Sequence, residues 1–357
     1  MRKTCISILI LSVFCIAWSC ANRKTEAVKI LVIERGKAFP ISIDSGLALP
    51  PIQSAIQSAY SGMLYFFNNE TGIIFRLHPE TGIMEEFLHS NIVNGDDFAI
   101  NDSLGLYGVL AEDTLHVFNS EKIQFMKKAL PMHEHFYLFT NSGFSFLIKS
   151  ANEFTFFLFP NLAGSMNDSV FFTYPLEGVW NTDRNEVSVM NVHYPDFYKK
   201  NMVGLQFMPF RTEWRNGSYL YSFPYSDSVF LYKSNYSSSH FLGSRTEKQF
   251  QFIPFSKQSE YDASVVRNLY AENPSYYRLK VLPKHRLIYR AFFPKKEQDN
   301  TKIKEWILVF YDDRFNYLGE TNLIDYGLNL IETDEKIYDL KRKNDSIICT
   351  EISLPFL

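Results

Sequence analysis

Cysteine is scarce in this chain: four among 357 residues, with Cys5, Cys15 and Cys20 inside the first twenty positions and Cys349 alone beyond them. If the leading segment is removed and Cys20 is modified, no intramolecular disulfide is possible, even in an oxidising compartment. Cys349, in the apolar stretch Ile347-Ile348-Cys349, reads as a small buried hydrophobe, the usual state of free cysteine. Dense positive charge is missing too. Lys127-Lys128, Lys199-Lys200 and Lys295-Lys296 are isolated pairs suited to solvated loops, and a formal net charge of −3 offers no basic face to phosphate, which argues against nucleic acid as a partner. The sequence also lacks H-E-x-x-H, G-x-S-x-G, a P-loop and G-x-G-x-x-G, so no local motif specifies hydrolysis or nucleotide binding, and no cofactor is expected. Apolar residues at helical spacing over three turns are hard to find after the leader, which points away from helices.

What is present begins with an address. Arg2 and Lys3 precede a run from Ile6 to Trp18 that is apolar apart from Ser7, Ser12 and Cys15, the layout of a secretory signal and too short for a permanent span. Ala17-Trp18-Ser19-Cys20 then reads as a lipoprotein cleavage site, with the Cys20 thiol free to take a diacylglycerol. An ordinary cleavage site or an uncleaved anchor is the alternative, because Trp18 fits the box poorly. On this reading residues 1–19 are a signal peptide, 20–27 a lipidated polar tether and 28–357 one domain. Several acyl chains, each methylene contributing roughly 0.8 kcal/mol, would hold the protein on a membrane.

The domain reads as all-β. Short runs rich in Phe, Tyr, Ile, Val and Leu follow one another, among them Met63 to Asn68, Leu104 to Leu110, Phe154 to Phe159, Val170 to Tyr174, Leu287 to Phe293 and Ile347 to Ile352. Several, such as Val229-Phe230-Leu231-Tyr232, are apolar on both faces and must be covered from both sides, as stacked sheets around an axis are. An aspartate turn recurs at Asp113, Asp168, Asp227 and Asp345, with Glu70 as a weaker relative and a missing copy expected near Arg286. Short side chains that bond the backbone two residues on explain these aspartates better than calcium, since none carries a dense ligand set. The phases predict a β-propeller of six blades, with seven as the alternative, closed by pairing Val28 to Ile33 with strands near Ile337 and Ile347. The aromatic content of 16% then suits the wedge-shaped gaps between blades, against a sugar-stacking surface as the other reading.

Tyr219-Leu220-Tyr221-Ser222-Phe223-Pro224-Tyr225-Ser226-Asp227-Ser228-Val229, with Tyr65-Phe66-Phe67-Asn68-Asn69-Glu70-Thr71-Gly72-Ile73, Tyr194-Pro195-Asp196-Phe197-Tyr198 and Tyr276-Tyr277-Arg278, resembles a Bacteroidota lipoprotein family known as domain of unknown function 4221. The resemblance implies a propeller-like fold and a cell-envelope location, and brings no catalytic residues. It also implies that a tether without an acidic run after Cys20 leans toward the periplasmic face of the outer membrane rather than the cell surface.

Few residues invite a functional reading. Asp96-Asp97 could pair as glycosidase carboxylates, although neighbours in a strand point to opposite faces. His133 and His135 share strand spacing without a further ligand nearby, so no metal site is expected. Trp180, Trp214 and Arg215 sit among polar residues and could stack on a sugar or anchor a protein, with core packing as the competing explanation. Two classes follow: a non-catalytic binding module for a protein, peptide or glycan, or a propeller-type polysaccharide hydrolase or lyase whose site is assembled from several blades. The lack of a local motif favours binding.

Overall fold

A computed structural model describes residues 29–41, 55–58, 60–138, 146–161, 169–201, 203, 208–233, 238–242, 253–254, 272–294, 306–321, 329–343 and 346–356. The signal peptide, Cys20, the tether, Asp168 and Asp345 lie outside these residues. Among the described residues the strands form six small sheets arranged as a six-bladed β-propeller. Blade 1 holds β3 (Ile56–Gln57), β4 (Leu64–Asn68), β5 (Ile73–His78) and β6 (Ile83–His89); blade 2 holds β7 (Asp97–Asn101), β8 (Leu106–Ala111), β9 (Thr114–Phe118) and β10 (Gln124–Ala129). In blade 3, β11 (Phe136–Leu138) and β12 (Phe146–Ile148) share the inner edge of β13 (Glu153–Pro160), followed by β14 (Glu177–Asn181) and β15 (Glu186–Val189). Blade 4 is β16 (Phe210–Glu213), β17 (Tyr219–Ser222), β18 (Ser228–Tyr232) and β19 (Ser238–Leu242). Blade 5 is β20 (Ser275–Leu282), β21 (Leu287–Phe293), β22 (Ile307–Asp312) and β23 (Tyr317–Thr321), and blade 6 begins with β24 (Asn329–Glu332), β25 (Ile337–Lys343) and β26 (Ser346–Ser353).

The N-terminal segment closes the ring, one step later along the chain than its sequence suggests. Strand β1 (Ile30–Leu31) adds parallel to β23 of blade 5, and β2 (Glu34–Pro40) completes blade 6 antiparallel to β26. Gly319 makes the first contact possible: its φ is +149° and a Cβ there would lie 2.7 Å from the Lys29 carbonyl oxygen.

Each of the six buried clusters fills one gap between neighbouring blades. Tyr65, Phe67, Phe87, Phe98 and Tyr107 pack blade 1 on blade 2, and Phe157, Phe171, Tyr194, Tyr198, Tyr221 and Phe223 pack blade 3 on blade 4. Both faces of an inner strand therefore need apolar cover, which is why Leu64–Asn68 and Leu106–Ala111 are buried throughout. The aromatic excess is spent here, in edge-to-face and tilted ring pairs such as Phe87–Tyr107 at 4.9 Å and Phe172–Tyr194 at 5.0 Å.

Polar side chains then lock blade to blade. Arg290 of blade 5, fully buried, donates to Ser222 Oγ and to the carbonyls of Ser226 and Asp227 on blade 4, each at 2.9 Å, with its guanidinium 3.6 Å from the Tyr276 ring centroid. Glu177 of blade 3 accepts from the Tyr221 hydroxyl and pairs with Arg211, both on blade 4. Glu332 of blade 6 accepts from the backbone NH groups of Lys284 and His285 on blade 5, and Asn101 of blade 2 donates to the Ile148 carbonyl of blade 3.

Three expectations need correction. Val170 to Tyr174 is not a strand; Ser169–Thr173 is a 3-10 turn carrying Phe171 and Phe172 into the gap between blades 3 and 4. The copy placed near Arg286 falls on a different turn. Glu70, Asp113 and Asp227 join the second and third strands of their blades, whereas Arg286 joins the first and second strands of blade 5. Finally, Glu112 and Asp113 form their hairpin turn by both adopting left-handed φ, at 47° and 58°, so tolerance of that conformation shapes the turn.

Candidate functional site

The structure separates the residues that the sequence suggests as a site. Asp96 is exposed and its NH bonds to the Leu110 carbonyl, while Asp97 is buried and accepts from the Phe98 NH. One residue faces solvent and the other the interior, so the two carboxylates do not form a catalytic pair. Trp180 is wholly buried between blades 2 and 3 against Phe154 and Phe156, its Nε1 donating to Asn185 Oδ1 at 3.3 Å, which removes it as a ligand surface. The polar residues after it belong to the next turn. His133 stacks on Phe136 at 3.9 Å, and no group of three metal-ligating side chains occurs among the described residues.

Trp214 and Arg215 fare differently. Trp214 follows the first strand of blade 4, Arg215–Gly217 forms a short 3-10 turn, and the Trp214 NH bonds the Ser218 carbonyl at 2.7 Å to close it. Two turns of blade 5 reach the same place. In one, Asp312 Oδ1 accepts from the NH groups of Arg314 and Asn316, so the chain doubles back with Phe315 at φ 67°. In the other, Arg286 sits at φ 57° after Pro283.

Together they build a platform across the boundary of blades 4 and 5. The Asp313 carboxylate, 6% exposed, accepts from Arg215 Nη2 and from Arg286 Nε, each at 2.7 Å, while those arginine side chains are 56% and 65% exposed. The Arg215 guanidinium lies 4.9 Å from the Trp214 ring centroid, and Phe315 flanks the same indole at 5.4 Å. Trp214 is half-buried, one side packed on the interblade layer. Hydrogen bonds from Arg286, and then Arg215, hold the Asp313 carboxyl below its usual range, so it stays ionised as a fixed bracket.

Each guanidinium presents five N–H donors and commits one here to Asp313. Two cations against one anion, beside an aromatic surface, can take a ligand that combines a flat apolar face with a carboxylate or similar acid. Sequence reading found Trp214 and Arg215 but missed Arg286, Asp313 and Phe315, which lie about seventy to one hundred residues later.

A family model described as a domain of unknown function, DUF4221, matches residues 97–322. A solved DUF4221 family member from Bacteroides vulgatus superposes with a TM-score of 0.73 at 16% identity, covering 93% of this chain and 99% of that one. A Bacteroides fragilis structure described as that of an exported protein gives a TM-score of 0.57 at 8% identity, with 90% and 95% covered. At these identities the likenesses show the fold. No curated protein matches.

Proposed function

Because this chain belongs to the DUF4221 family, whose fold is shown and whose activity is not, we propose from the site itself that it is a non-catalytic binding module of the cell envelope, recognising an acidic glycan. The observation that carries the reading is the Trp214 platform, where an indole, two open guanidiniums and a shielded carboxylate are held by three turns of two rigid blades. A sugar ring would lie on Trp214 while its carboxylate takes the unused donors of Arg215 and Arg286. Blades fixed by interlayer packing suit such a role, since the turns can present side chains without reorganising. The carboxylate nearest the platform is committed to two arginines, which favours capture over acid–base chemistry.

Titration of the domain with polygalacturonate and with a neutral glucan tests this. The expected result is binding of the acidic polymer alone, weakened at least tenfold by Trp214→Ala and by Arg215→Ala and reduced by salt. Equal binding of both polymers, or of neither, overturns the reading.

The address is part of the proposal: a lipoprotein anchored through Cys20 to the outer membrane, facing the periplasm. The apolar leader ending at Ser19-Cys20 supports it, as does the description of the Bacteroides fragilis neighbour as exported. Cys20→Ala should abolish labelling by a fatty-acid probe in cells.

A further inference from the structure

The innermost strands of the blades face the propeller axis, and among the described residues four of them carry acidic or basic side chains. Asp97 on β7 accepts from the Phe98 NH, Arg211 on β16 pairs with Glu177, Glu213 on β16 lies near Lys149, and Glu332 on β24 is taken by Lys284 and His285. Strand β20 carries Arg278 and Lys280. Its pairing with β21 skips a residue between Tyr277 and Leu279, so Arg278 is the extra residue of a β-bulge, at φ 46°. Beyond the bulge Lys280 lies opposite Tyr289, on the face that turns Leu282 and Tyr289 toward blade 6. The Lys280 stem is partly exposed, yet its ammonium nitrogen is inaccessible and has no hydrogen-bond partner among the described residues.

An ammonium with three donors, enclosed and unpaired two residues from a guanidinium, is unfavourable unless an acceptor reaches it. We propose that Lys280, with Arg278 beside it, is the binding position of a small oxyanion, a carboxylate or phosphate group, at the axial edge of blade 5. The enclosure limits the ligand to a terminal or inorganic group that reaches the nitrogen as the four-carbon stem turns. The bulge serves this by bringing a second cation out of the alternating pattern. The site is separate from the Trp214 platform, and neither reading depends on the other.

Protonation couples to the binding. Burial, and then the Arg278 guanidinium, pull the Lys280 ammonium down to about 7. The other charged or titratable groups on the strands packed against β20 are Tyr289 and Arg290 on β21, Arg211 and Glu213 on β16, and Tyr219 and Tyr221 on β17; blade 6 adds Glu332 on β24 and Tyr338, Asp339, Lys341, Arg342 and Lys343 on β25. An anion favours the charged amine, so binding takes up a proton and strengthens as pH falls through 7.

Isothermal titration of the folded chain with inorganic phosphate, and separately with acetate, at pH 6 and pH 9 and constant ionic strength tests the site. Binding of either anion at least tenfold tighter at pH 6 than at pH 9, and lost in Lys280→Met, is the expected result; the stronger arm identifies the class. Equal binding by wild type and Lys280→Met overturns the proposal, as does no binding of either anion at pH 6. If Lys280→Met does not fold, amine labelling of the wild type followed by mass spectrometry decides. Protection of Lys280 by the anion supports the site, and an unchanged labelling rate overturns it.

Discussion

Gln57 and Glu332, 275 positions apart, bind each other reciprocally: Gln57 Nε2 donates to the Glu332 carbonyl at 2.6 Å, and the Glu332 NH donates to Gln57 Oε1 at 3.1 Å. A side-chain amide thus imitates one rung of a sheet across the boundary between blade 6 and blade 1, where the two-residue strand β3 offers little backbone to pair.

Removing this rung should loosen the ring at its seam. Gln57→Ala leaves two partly buried backbone groups of Glu332 without partners, a loss of about 1–3 kcal/mol in urea unfolding. A change under about 0.5 kcal/mol would show that β2 and the interblade packing hold the seam unaided.

Trp180 and Trp214 should part company on truncation. Trp180→Ala empties a fully buried site between blades 2 and 3 and should cost about 3–5 kcal/mol. Trp214→Ala, at the margin of its layer, should cost about 1–2 kcal/mol. Chemical denaturation of both variants separates the structural tryptophan from the platform one, and equal losses would place Trp214 in the core as well.

Lys280 gives stability a pH dependence of definite sign. Its folded value of about 7 lies below the ordinary 10.5, so between those limits the unfolded chain binds the extra proton and stability rises with pH. The penalty is full below pH 7 and fades as pH climbs through 10.5. Lys280→Met should therefore stabilise by a few kcal/mol at pH 6, and by several-fold less at pH 9.5. Denaturation midpoints of the two proteins at both pH values check this, and a gain independent of pH would mean that packing, not charge, is responsible.

Much of the fold was legible because a strand buried on both faces has an unmistakable composition. Leu287–Phe293, apolar apart from Arg290, stands out as such a run, and the sequence places it at its observed bounds. Strands with one open face were harder to see. Gln124–Ala129 and Glu186–Val189, at the blade rims, are mostly exposed and carry too few apolar residues to register. Val170 to Tyr174 misled because burial selects the same residues in a 3-10 turn as in a strand. The platform was legible only by half. Trp214 and Arg215 are adjacent in sequence, but Asp313 is brought to them by the stacking of blade 5 on blade 4, and no local pattern encodes that meeting. Lys280 gave one faint signal, an Arg-x-Lys in a strand of aromatic and aliphatic neighbours.

The way the N-terminal segment joins two blades has a mechanical consequence. A pull on Lys29 reaches the two-residue parallel pair of β1 with β23 before it reaches the seven-residue β2. The shorter contact, supported by the Glu320 NH on the Lys29 carbonyl, gives way first and lets out a few residues of slack. The longer strand then bears the load with the ring still shut. The ring thus has a sacrificial clasp ahead of its latch, and transient force on Lys29 would open the clasp without unfolding the toroid.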